Sequence, residues 1–435
     1  MRMLAFIFIF VFFASISLKA EDGLSVAYAE NILAENNIFP TNENKYEIID
    51  LQKIMDGKIF FVHGLTISNK TNNVILGITK CPDLPLGSEL VRKTRSEFYI
   101  LSIDYNKKTC QRTYFPDIIY HNGVTPGGRS EFIFMGNNDD TLISLNDFPT
   151  NGNISLIKYD LNSSTANEKT LARANGARLA VHYNKPIECF LCHTGRAIYK
   201  VNKELNVMET ISTHNYCDLL TGVVENEDGS ITLCGIAIRD KKQYVVLWNL
   251  KKDNGVFTGE KIFDRLGTTP FAGKMNSGKT VLFYNENIND ANYKGRLIII
   301  NADNEILLEE EKAFRTSSIL PAILLPAKSG DGVILAGNTN VRSGSGNTVK
   351  QLFKIIRLSG DNEEKESVIL NKNLRVFINA SALGDKMFVS LKTDDFTKRF
   401  ESAWTQDSYL YIFTFDDEGA LQTPAKKTSN ITLED

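Results

Sequence analysis

The sequence predicts an all-β protein, a seven-bladed β-propeller with four-stranded blades. Three observations lead to this prediction: a strand–turn–strand pattern that occurs seven times, a regular spacing of its copies, and turns rich in Gly, Asn and Asp. The pattern is clearest over residues 188–209, ECFLCHTGRAIYKVNKELNVME, where two apolar runs are separated by a turn at Thr194-Gly195. Short apolar runs bounded by turns at a regular period are typical of repeated β-sheets.

The best-defined element of each copy is an eight-residue apolar stretch that ends in a polar turn. We interpret these stretches as third strands of the blades, at residues 98–105, 154–161, 197–204, 244–251, 296–303, 351–358 and 409–416. Their first residues lie 43 to 58 residues apart, whereas a propeller blade takes roughly 40–50 residues. A two-sheet sandwich is the competing architecture, but seven like units of regular period are hard to place in one.

Each third strand is preceded by a second strand, at residues 73–80, 141–147, 188–194, 231–238, 280–287, 332–339 and 386–393. First strands are predicted ahead of these pairs, for example at 60–68, 131–137, 322–328 and 375–381. Segment 45–52, KYEIIDLQ, precedes the first complete unit. We predict that it completes the last blade, so that an N-terminal strand closes the ring.

The N-terminus has the layout of a secretory signal. Arg2 is followed by an apolar run over 4–13 and by small residues that lead to Ala20, and this order is typical of a cleaved signal peptide. The predicted organisation is therefore a signal peptide over 1–20, a polar lead-in over 21–44 and a single propeller domain over 45–435. The apolar run is too short for a membrane span. We expect an exported, secreted or periplasmic protein.

The charge balance excludes some partners. Removal of Arg2 and Lys19 with the signal leaves 47 basic and 52 acidic residues, a formal charge of −5. A nucleic-acid-binding surface would need a basic excess or a basic stripe. We therefore expect a monomer with no nucleic-acid partner and no membrane span, whose ligand is a small anionic molecule, a carbohydrate, or a peptide or protein.

All six cysteines lie before residue 235, and an even number in an exported chain permits disulfide bonds, which we predict without assigning their pairing. Cys189, Cys192 and His193 also form a Cys-x-x-Cys-His motif, the attachment signature of a c-type haem. In a strand, however, Cys189 and Cys192 point to opposite faces, roughly 10 Å apart. We therefore expect buried or disulfide-bonded structural cysteines and no cofactor, with haem c and a zinc site as the alternatives.

The connections between second and third strands suggest a ligand-binding face. Those of blades one, five, six and seven are predicted to be long, over 80–97, 287–295, 339–350 and 393–408, and to form one raised arc. Long loops in compact domains are often functional. The arc carries Asp394, Arg399 and Trp404, a set that suits a carbohydrate, amine or peptide ligand, although a solvated charged loop would have the same composition.

A second regularity is a basic residue shortly before most first strands. The members of this set are Lys53, His121, Arg178, His214, Arg265, Arg315 and Arg375. If the first strands line a central channel, these side chains form a ring at its mouth that attracts an anion. The alternative is that they only bind carbonyl oxygens of the loops.

No strong catalytic signature occurs in the chain. The sequence has no Gly-x-Ser-x-Gly elbow, no His-Glu-x-x-His motif and no phosphate-binding glycine loop. The predicted function is therefore a binding or scaffold propeller with its ligand at the channel mouth. The alternatives are a hydrolase or lyase that uses Asp394, Asp395 or His214, and a haem redox protein.

Overall fold

A computed structural model describes most of the chain from Lys45 onward. It covers residues 45–57, 59–68, 70–80, 95–116, 120–121, 131–134, 141–148, 153–173, 180–184, 189–226, 228–253, 256–275, 277–289, 292–312, 323–326, 333–342, 348–358, 364–370, 374–393, 408–416, 421–424 and 428–434. The predicted signal peptide and lead-in lie outside these residues.

The first half of the domain consists of short strands and one short helix. In chain order these are β1 (Glu47–Asp50), α1 (Leu51–Met55), β2 (Ile59–Ile67), β3 (Val74–Lys80), β4 (Arg95–Asp104), β5 (Thr109–Tyr114), β6 (Tyr120–His121), β7 (Glu131–Phe134), β8 (Thr141–Phe148), β9 (Asn153–Asp160), β10 (Thr165–Arg173), β11 (Ala180–Asn184), β12 (Cys189–His193), β13 (Ala197–Asn202) and β14 (Val207–Ser212).

The second half continues with strands. They are β15 (Leu219–Glu225), β16 (Ile231–Arg239), β17 (Lys242–Asp253), β18 (Val256–Lys274), β19 (Thr280–Asn289), β20 (Asn292–Ile300), β21 (Ile306–Lys312), β22 (Ile323–Pro326), β23 (Val333–Arg342), β24 (Thr348–Leu358), β25 (Glu364–Leu370), β26 (Leu374–Leu383), β27 (Lys386–Thr393), β28 (Ser408–Thr414), β29 (Thr428–Ser429) and β30 (Thr432–Leu433). In the described part of the chain, no helix has the length and apolar character that a membrane crossing requires.

Consecutive strands pair with each other in antiparallel sheets. The strands β2–β5 form the core of the first sheet, and β7–β10, β11–β14 and β22–β25 form three more. The long strand β18 belongs to two sheets, because Leu266 pairs with Tyr244 of β17 and Gly267 pairs with Glu286 of β19. The last sheet contains β26, β27 and β28. The fold is all-β and propeller-like, and the predicted second and third strands are confirmed.

The first strands of successive sheets contact one another. Contacts join β2 to β7, β7 to β11, β11 to β15, β15 to β18, β18 to β22, β22 to β26, and β26 to β2. The first strands therefore lie side by side, and the fourth strand of each sheet lies farther out.

The hydrophobic core lies between neighbouring sheets. On β12, Phe190 and Cys192 pack against Ile143 of the preceding sheet, whereas Leu191 packs with Leu233 of the following one. Side chains alternate between the two faces of a strand, so a strand packed on both faces must be apolar throughout. Full burial of one large apolar side chain contributes about 1.5–3 kcal/mol, and strands such as β12 contribute such side chains to two interfaces.

The N-terminal segment joins the last sheet. Strand β1 pairs antiparallel with β28, with Ile49 opposite Leu410. The predicted strand over 45–52 is too long, because the chain turns into α1 at Leu51. Asp50 caps this helix, and its Oδ1 accepts hydrogen bonds from the amides of Gln52 (3.0 Å) and Lys53 (3.4 Å). A capping aspartate of this kind starts a helix and so ends the strand.

Four of the turns between third and fourth strands share one design. An Asp or Asn at the end of the third strand accepts hydrogen bonds from backbone amides in the turn, and a residue in the left-handed region lies three or four positions after it. The acceptors are Asp104, Asp160, Asn202 and Asn301, and the left-handed residues are Lys108, Ser164, Leu205 and Asn304. Asx side chains favour such turns because they replace a backbone acceptor.

These turns give a first testable prediction. Asp160 Oδ1 accepts from the amides of Asn162 (2.9 Å) and Ser163 (3.1 Å), and the Ser163 amide is the main reason that the pKa of Asp160 is lowered. Asp160→Ala should lower the unfolding free energy by about 1 kcal/mol. Asp160→Asn should lower it by much less, because the asparagine side chain keeps an oxygen acceptor.

A carboxyl group whose pKa is lower in the native state stabilises the fold at pH values above its unfolded pKa of about 3.9. This stabilisation is lost as the pH falls through the native pKa. The difference between wild type and Asp160→Ala in urea denaturation should therefore shrink below about pH 4. Asp303→Ala, an exposed carboxylate in an equivalent turn, is the control. Equal losses in both variants would contradict the role of the Asp160 acceptor.

Candidate functional site

Most of the predicted site residues lie outside the described residues. These are Arg178, Arg315, Asp394, Arg399 and Trp404. Arg375 lies in β26, where its backbone is opposite Lys392 of β27. His214 and Arg265 are described with their side chains.

Two of the four connections that were predicted to be long are shorter in the structure, so this part of the prediction is wrong. Strands β19 and β20 extend to Asn289 and Asn292, which pair with each other, so residues 290–291 are all that connects them. Likewise, Arg342 at the end of β23 pairs with Thr348 of β24. The residues between the apolar runs continue the strands, because backbone pairing does not require apolar side chains. Two long connections remain, 81–94 and 394–407, and they lie outside the described residues.

Arg265 lies where β18 passes from one sheet into the next. We call this the crossing end, and it comprises Lys261–Gly267 of β18 together with Arg239, Tyr284, Glu286, Arg296 and Glu309. The Arg265 guanidinium forms an ion pair with Glu309 of β21 and lies 5.2 Å from the centre of the Phe263 ring. The Glu309 carboxylate raises the pKa of Arg265 further above its ordinary value. Because both side chains are partly exposed, such a pair contributes about 0–1 kcal/mol to stability.

Tyr284 of β19 lies beneath this ion pair. Its ring is fully buried and contacts Phe263 edge-on, with ring centres 5.5 Å apart. Burial raises the pKa of the Tyr284 hydroxyl, and Glu286 acts in the same direction, so the phenol is neutral at physiological pH. Glu286 in turn binds the Arg296 guanidinium at 2.7 Å.

The opposite side of β18 carries a second group of charges. Asp264 pairs with Arg239 of β16 and, at 2.8 Å, with Lys261. Burial alone would raise the pKa of Asp264, but the hydrogen bonds from Arg239 and Lys261 outweigh it and hold the pKa below its ordinary value. Arg239 also lies 3.9 Å from the centre of the Tyr244 ring. Each acid of the crossing end is therefore bound to at least one cation.

His214 occupies the equivalent connection between β14 and β15. It is exposed, and its Nδ1 lies 2.5 Å from the Ser212 hydroxyl oxygen. The turn is held by hydrogen bonds from the amides of Tyr216 and Cys217 to the Thr213 carbonyl, both 2.9 Å. His214 lies after the fourth strand of one sheet, whereas Arg265 lies at the end of the fourth strand of the next sheet, opposite Val245 of β17. The structure describes each with its own local partner, and the predicted ring of basic residues stays a prediction.

The Cys-x-x-Cys-His segment forms strand β12, as expected. Cys189, Cys192 and His193 are all buried, and alternation along the strand directs Cys189 and Cys192 to opposite faces of the sheet. Burial raises the pKa of the Cys192 thiol. Two thiols on opposite faces cannot reach the vinyl groups of one haem, so these residues do not fit the group. In the described part of the chain, no three His, Cys, Asp or Glu side chains gather as metal ligands.

The predicted disulfide bonds are absent among the described cysteines. Cys110, Cys189, Cys192, Cys217 and Cys234 are buried and form no disulfide bond, and Cys81 lies outside the described residues. Cys217 and Cys234 belong to hydrophobic clusters on opposite faces of one sheet. The sheet itself separates them.

Comparisons with known proteins indicate the fold alone. No protein-family model matches the chain, and no curated protein matches its sequence. Among solved structures, it resembles the β-propeller domain of the Trilobed protease from Pyrococcus furiosus, with 12% identity, a TM-score of 0.44, and coverage of 84% of this chain and 98% of that one. It also resembles an acylaminoacyl peptidase from Pyrococcus horikoshii (11% identity, TM-score 0.44), covering 87% of this chain and 54% of that one.

A third similar structure is the polysaccharide lyase Uly1, with 9% identity, a TM-score of 0.37, and coverage of 81% of this chain and 90% of that one. The antiparallel pairing of consecutive strands in this chain defines its class, an all-β, propeller-like protein.

Sequence reasoning missed most of the crossing end. Tyr284, Glu286, Arg296 and Glu309 lie in or beside apolar runs and form no motif. One residue of the sequence, Gly267, could have indicated this site. Gly267 stands between two strand segments, and an added Cβ there would lie 2.7 Å from both the Asn285 carbonyl oxygen and Cδ2 of Tyr284. A glycine inside a strand often marks such a close approach.

Gly267→Ala should therefore displace Tyr284 or the β18 backbone and lower the unfolding free energy by about 1–3 kcal/mol. Gly222→Ala is a matched control, because its added Cβ would lie 3.8 Å from the Cys234 Cβ, an ordinary contact. Its effect should stay within about 0.5 kcal/mol. Urea denaturation followed by tryptophan and tyrosine fluorescence measures both. Similar stabilities for the two variants would show that the Tyr284 packing is not tight.

Proposed function

We propose that this protein is an exported seven-bladed β-propeller that binds a ligand at the crossing end of its blades. The order of contacts among the first strands supports the ring. Seven strands, β2, β7, β11, β15, the second half of β18, β22 and β26, contact each other in sequence, and β26 contacts β2. Seven blades around one axis account for this order.

Ring closure by the N-terminal strand is the second part of the proposal. Strand β1 precedes the first sheet in the chain but pairs with β28 of the last sheet. It would then be the fourth strand of the seventh blade. A ring closed in this way joins an N-terminal strand to the last sheet by backbone hydrogen bonds.

The proposed ligand is a small anion, an acidic carbohydrate, or a peptide with a carboxylate. The observation that supports this choice is the crossing end itself, where Arg239, Lys261, Arg265 and Arg296 face Asp264, Glu286 and Glu309. The cations outnumber the acids by one. A ligand carboxylate can replace Glu309 on Arg265, because guanidinium groups bind either carboxylate in the same geometry.

Binding is favoured over catalysis for a specific reason. A general acid or base needs a pKa near the working pH, whereas the cations beside Asp264 lower its pKa and burial raises that of Tyr284. These groups keep one protonation state across the physiological range. The hydrolase or lyase alternative would rest on His214 and on Asp394, as the sequence suggested.

The ligand proposal is tested by thermal unfolding with a panel of anions. We expect citrate, succinate, inorganic phosphate or an oligogalacturonate to raise the melting temperature of the wild type, since a ligand that binds the native state stabilises it. Arg265→Gln should weaken the response. Arg173→Gln, an exposed arginine on β10, should leave it unchanged. No shift with any member of the panel, or equal responses from both variants, would refute an anion site at Arg265.

Export is proposed from residues 1–20 and is tested separately. Expression in a host that secretes proteins, followed by intact-mass measurement of the exported fraction, should give a chain that begins at Glu21. Replacement of Phe8 and Phe10 by aspartate should keep the protein in the cytoplasm, because the signal depends on its apolar run. An unprocessed chain that begins at Met1 would contradict export.

A further inference from the structure

The C-terminal residues 428–434 lie across the junction of the first and last sheets. Strand β29 adds to the outer edge of β1 in parallel, with Ser429 opposite Ile49. Strand β30 adds to the outer edge of β5, also in parallel, with Leu433 opposite Cys110. The same short segment therefore supplies a fifth strand to two different sheets. We call residues 428–434 the strap.

The strap is held by backbone hydrogen bonds and by alternate side chains. The amide of Thr432 donates to the Lys108 carbonyl, and the amide of Glu434 donates to the Cys110 carbonyl, each at 2.9 Å. Ile431 and Leu433 pack against the cluster that contains Ile49 and Cys110. The side chains of Asn430 and Thr432 are exposed. The edges of β1 and β5 thus bind an extended peptide that has apolar residues at alternate positions.

A second set of contacts fixes the junction beneath the strap. The Tyr105 hydroxyl donates to Glu47 of β1, and Lys108 Nζ lies 3.2 Å from the other oxygen of Glu47. Lys108 Nζ also lies 3.4 Å from the centre of the Tyr105 ring, and Arg112 donates to the Ile54 carbonyl at 3.2 Å. These contacts join the first and last sheets without any residue of the strap. The junction can therefore stay closed when the strap leaves.

We propose that the outer edges of β1 and β5 form one binding site for an extended peptide, which the strap occupies in the native state and can leave without unfolding of the sheets. The strap pairs through two short strands, so few interactions oppose its release, and segments with few contacts open locally. The edges that it uncovers would then accept a peptide of the same pattern, by addition of a parallel strand. The proposal does not depend on the identity of the ligand at the crossing end.

Cys110 reports whether the strap is bound. Its side chain is 1% exposed, and burial raises its pKa to about 12, so the thiol is unreactive while it is covered. Cys189, Cys192 and Cys234 are buried within strands, and Cys217 is buried in the connection between β14 and β15, so these four serve as internal controls. Among these five described cysteines, release of the strap should expose Cys110 alone, whereas unfolding should expose all five.

The experiment compares Thr432→Pro with Thr432→Ala. Proline removes the amide that donates to Lys108, whereas alanine keeps this amide and changes an exposed side chain. Iodoacetamide labelling is followed site by site by peptide mass spectrometry. We expect labelling of Cys110 to become at least tenfold faster in Thr432→Pro and to change less than twofold in Thr432→Ala. Wild-type rates in both variants would overturn the proposal, as would equal acceleration at Cys217 and Cys234.

Two further measurements complete the test. A chain that ends at Pro424 should label rapidly at Cys110, and a synthetic peptide of residues 425–435 should restore protection, while a peptide with Ile431 and Leu433 replaced by aspartate should not. If the truncated chain does not fold, labelling of the wild type in low urea decides. Cys110 should then show a weaker dependence on urea than Cys217 does, because strap release exposes less surface than unfolding. Failure of the peptide to protect a folded truncated chain, or equal urea dependences, would contradict the proposal.

Discussion

The structure depends on apolar packing between the faces of neighbouring sheets. Strands such as β12 and β17 send large side chains to both neighbouring sheets. Each interface is therefore completed only when the next sheet is in place, as in other repeat architectures. This requirement explains why a strand such as β16 is apolar over most of its length, and why polar residues collect in the turns and on outer strands such as β10. It also explains the buried thiols, because a cysteine in such a strand behaves as a small apolar side chain.

The same packing makes the two chain ends important. The chain itself links the last sheet to the first, because β1 leads through α1 into β2. Non-covalent contacts add to this link. Strand β1 pairs with β28, Glu47 binds Tyr105 and Lys108, and the C-terminal segment pairs with both β1 and β5.

The crossing end is a site built from compensated charges. Arg265 and Glu309 come from the outer strands of neighbouring sheets, and Asp264 and Arg239 come from one sheet, so packing of the sheets determines which charges meet. Compensation keeps the charged forms stable in a partly buried position. Under the proposed function, an anion would bind there by exchange, because it would take the position of a protein carboxylate. Such exchange would favour ligands whose carboxylates match the two-pronged geometry of arginine.

The sequence by itself determined the strands and their order. A third strand such as 296–303 was recognisable because its apolar run is interrupted by turn residues, and turn chemistry such as that of Asp160 acts locally. The tertiary structure decided what depends on distant partners. It ended the N-terminal strand at Asp50, where a cap starts α1, and it extended β19 and β20 through polar residues that pair only by their backbones. It also assigned β29 and β30 to edges formed near the other end of the chain, and it gave Arg265 the partner Glu309. The physical reason is that apolar periodicity and turns are properties of neighbouring residues, whereas edge pairing and charge compensation depend on which sheets pack together.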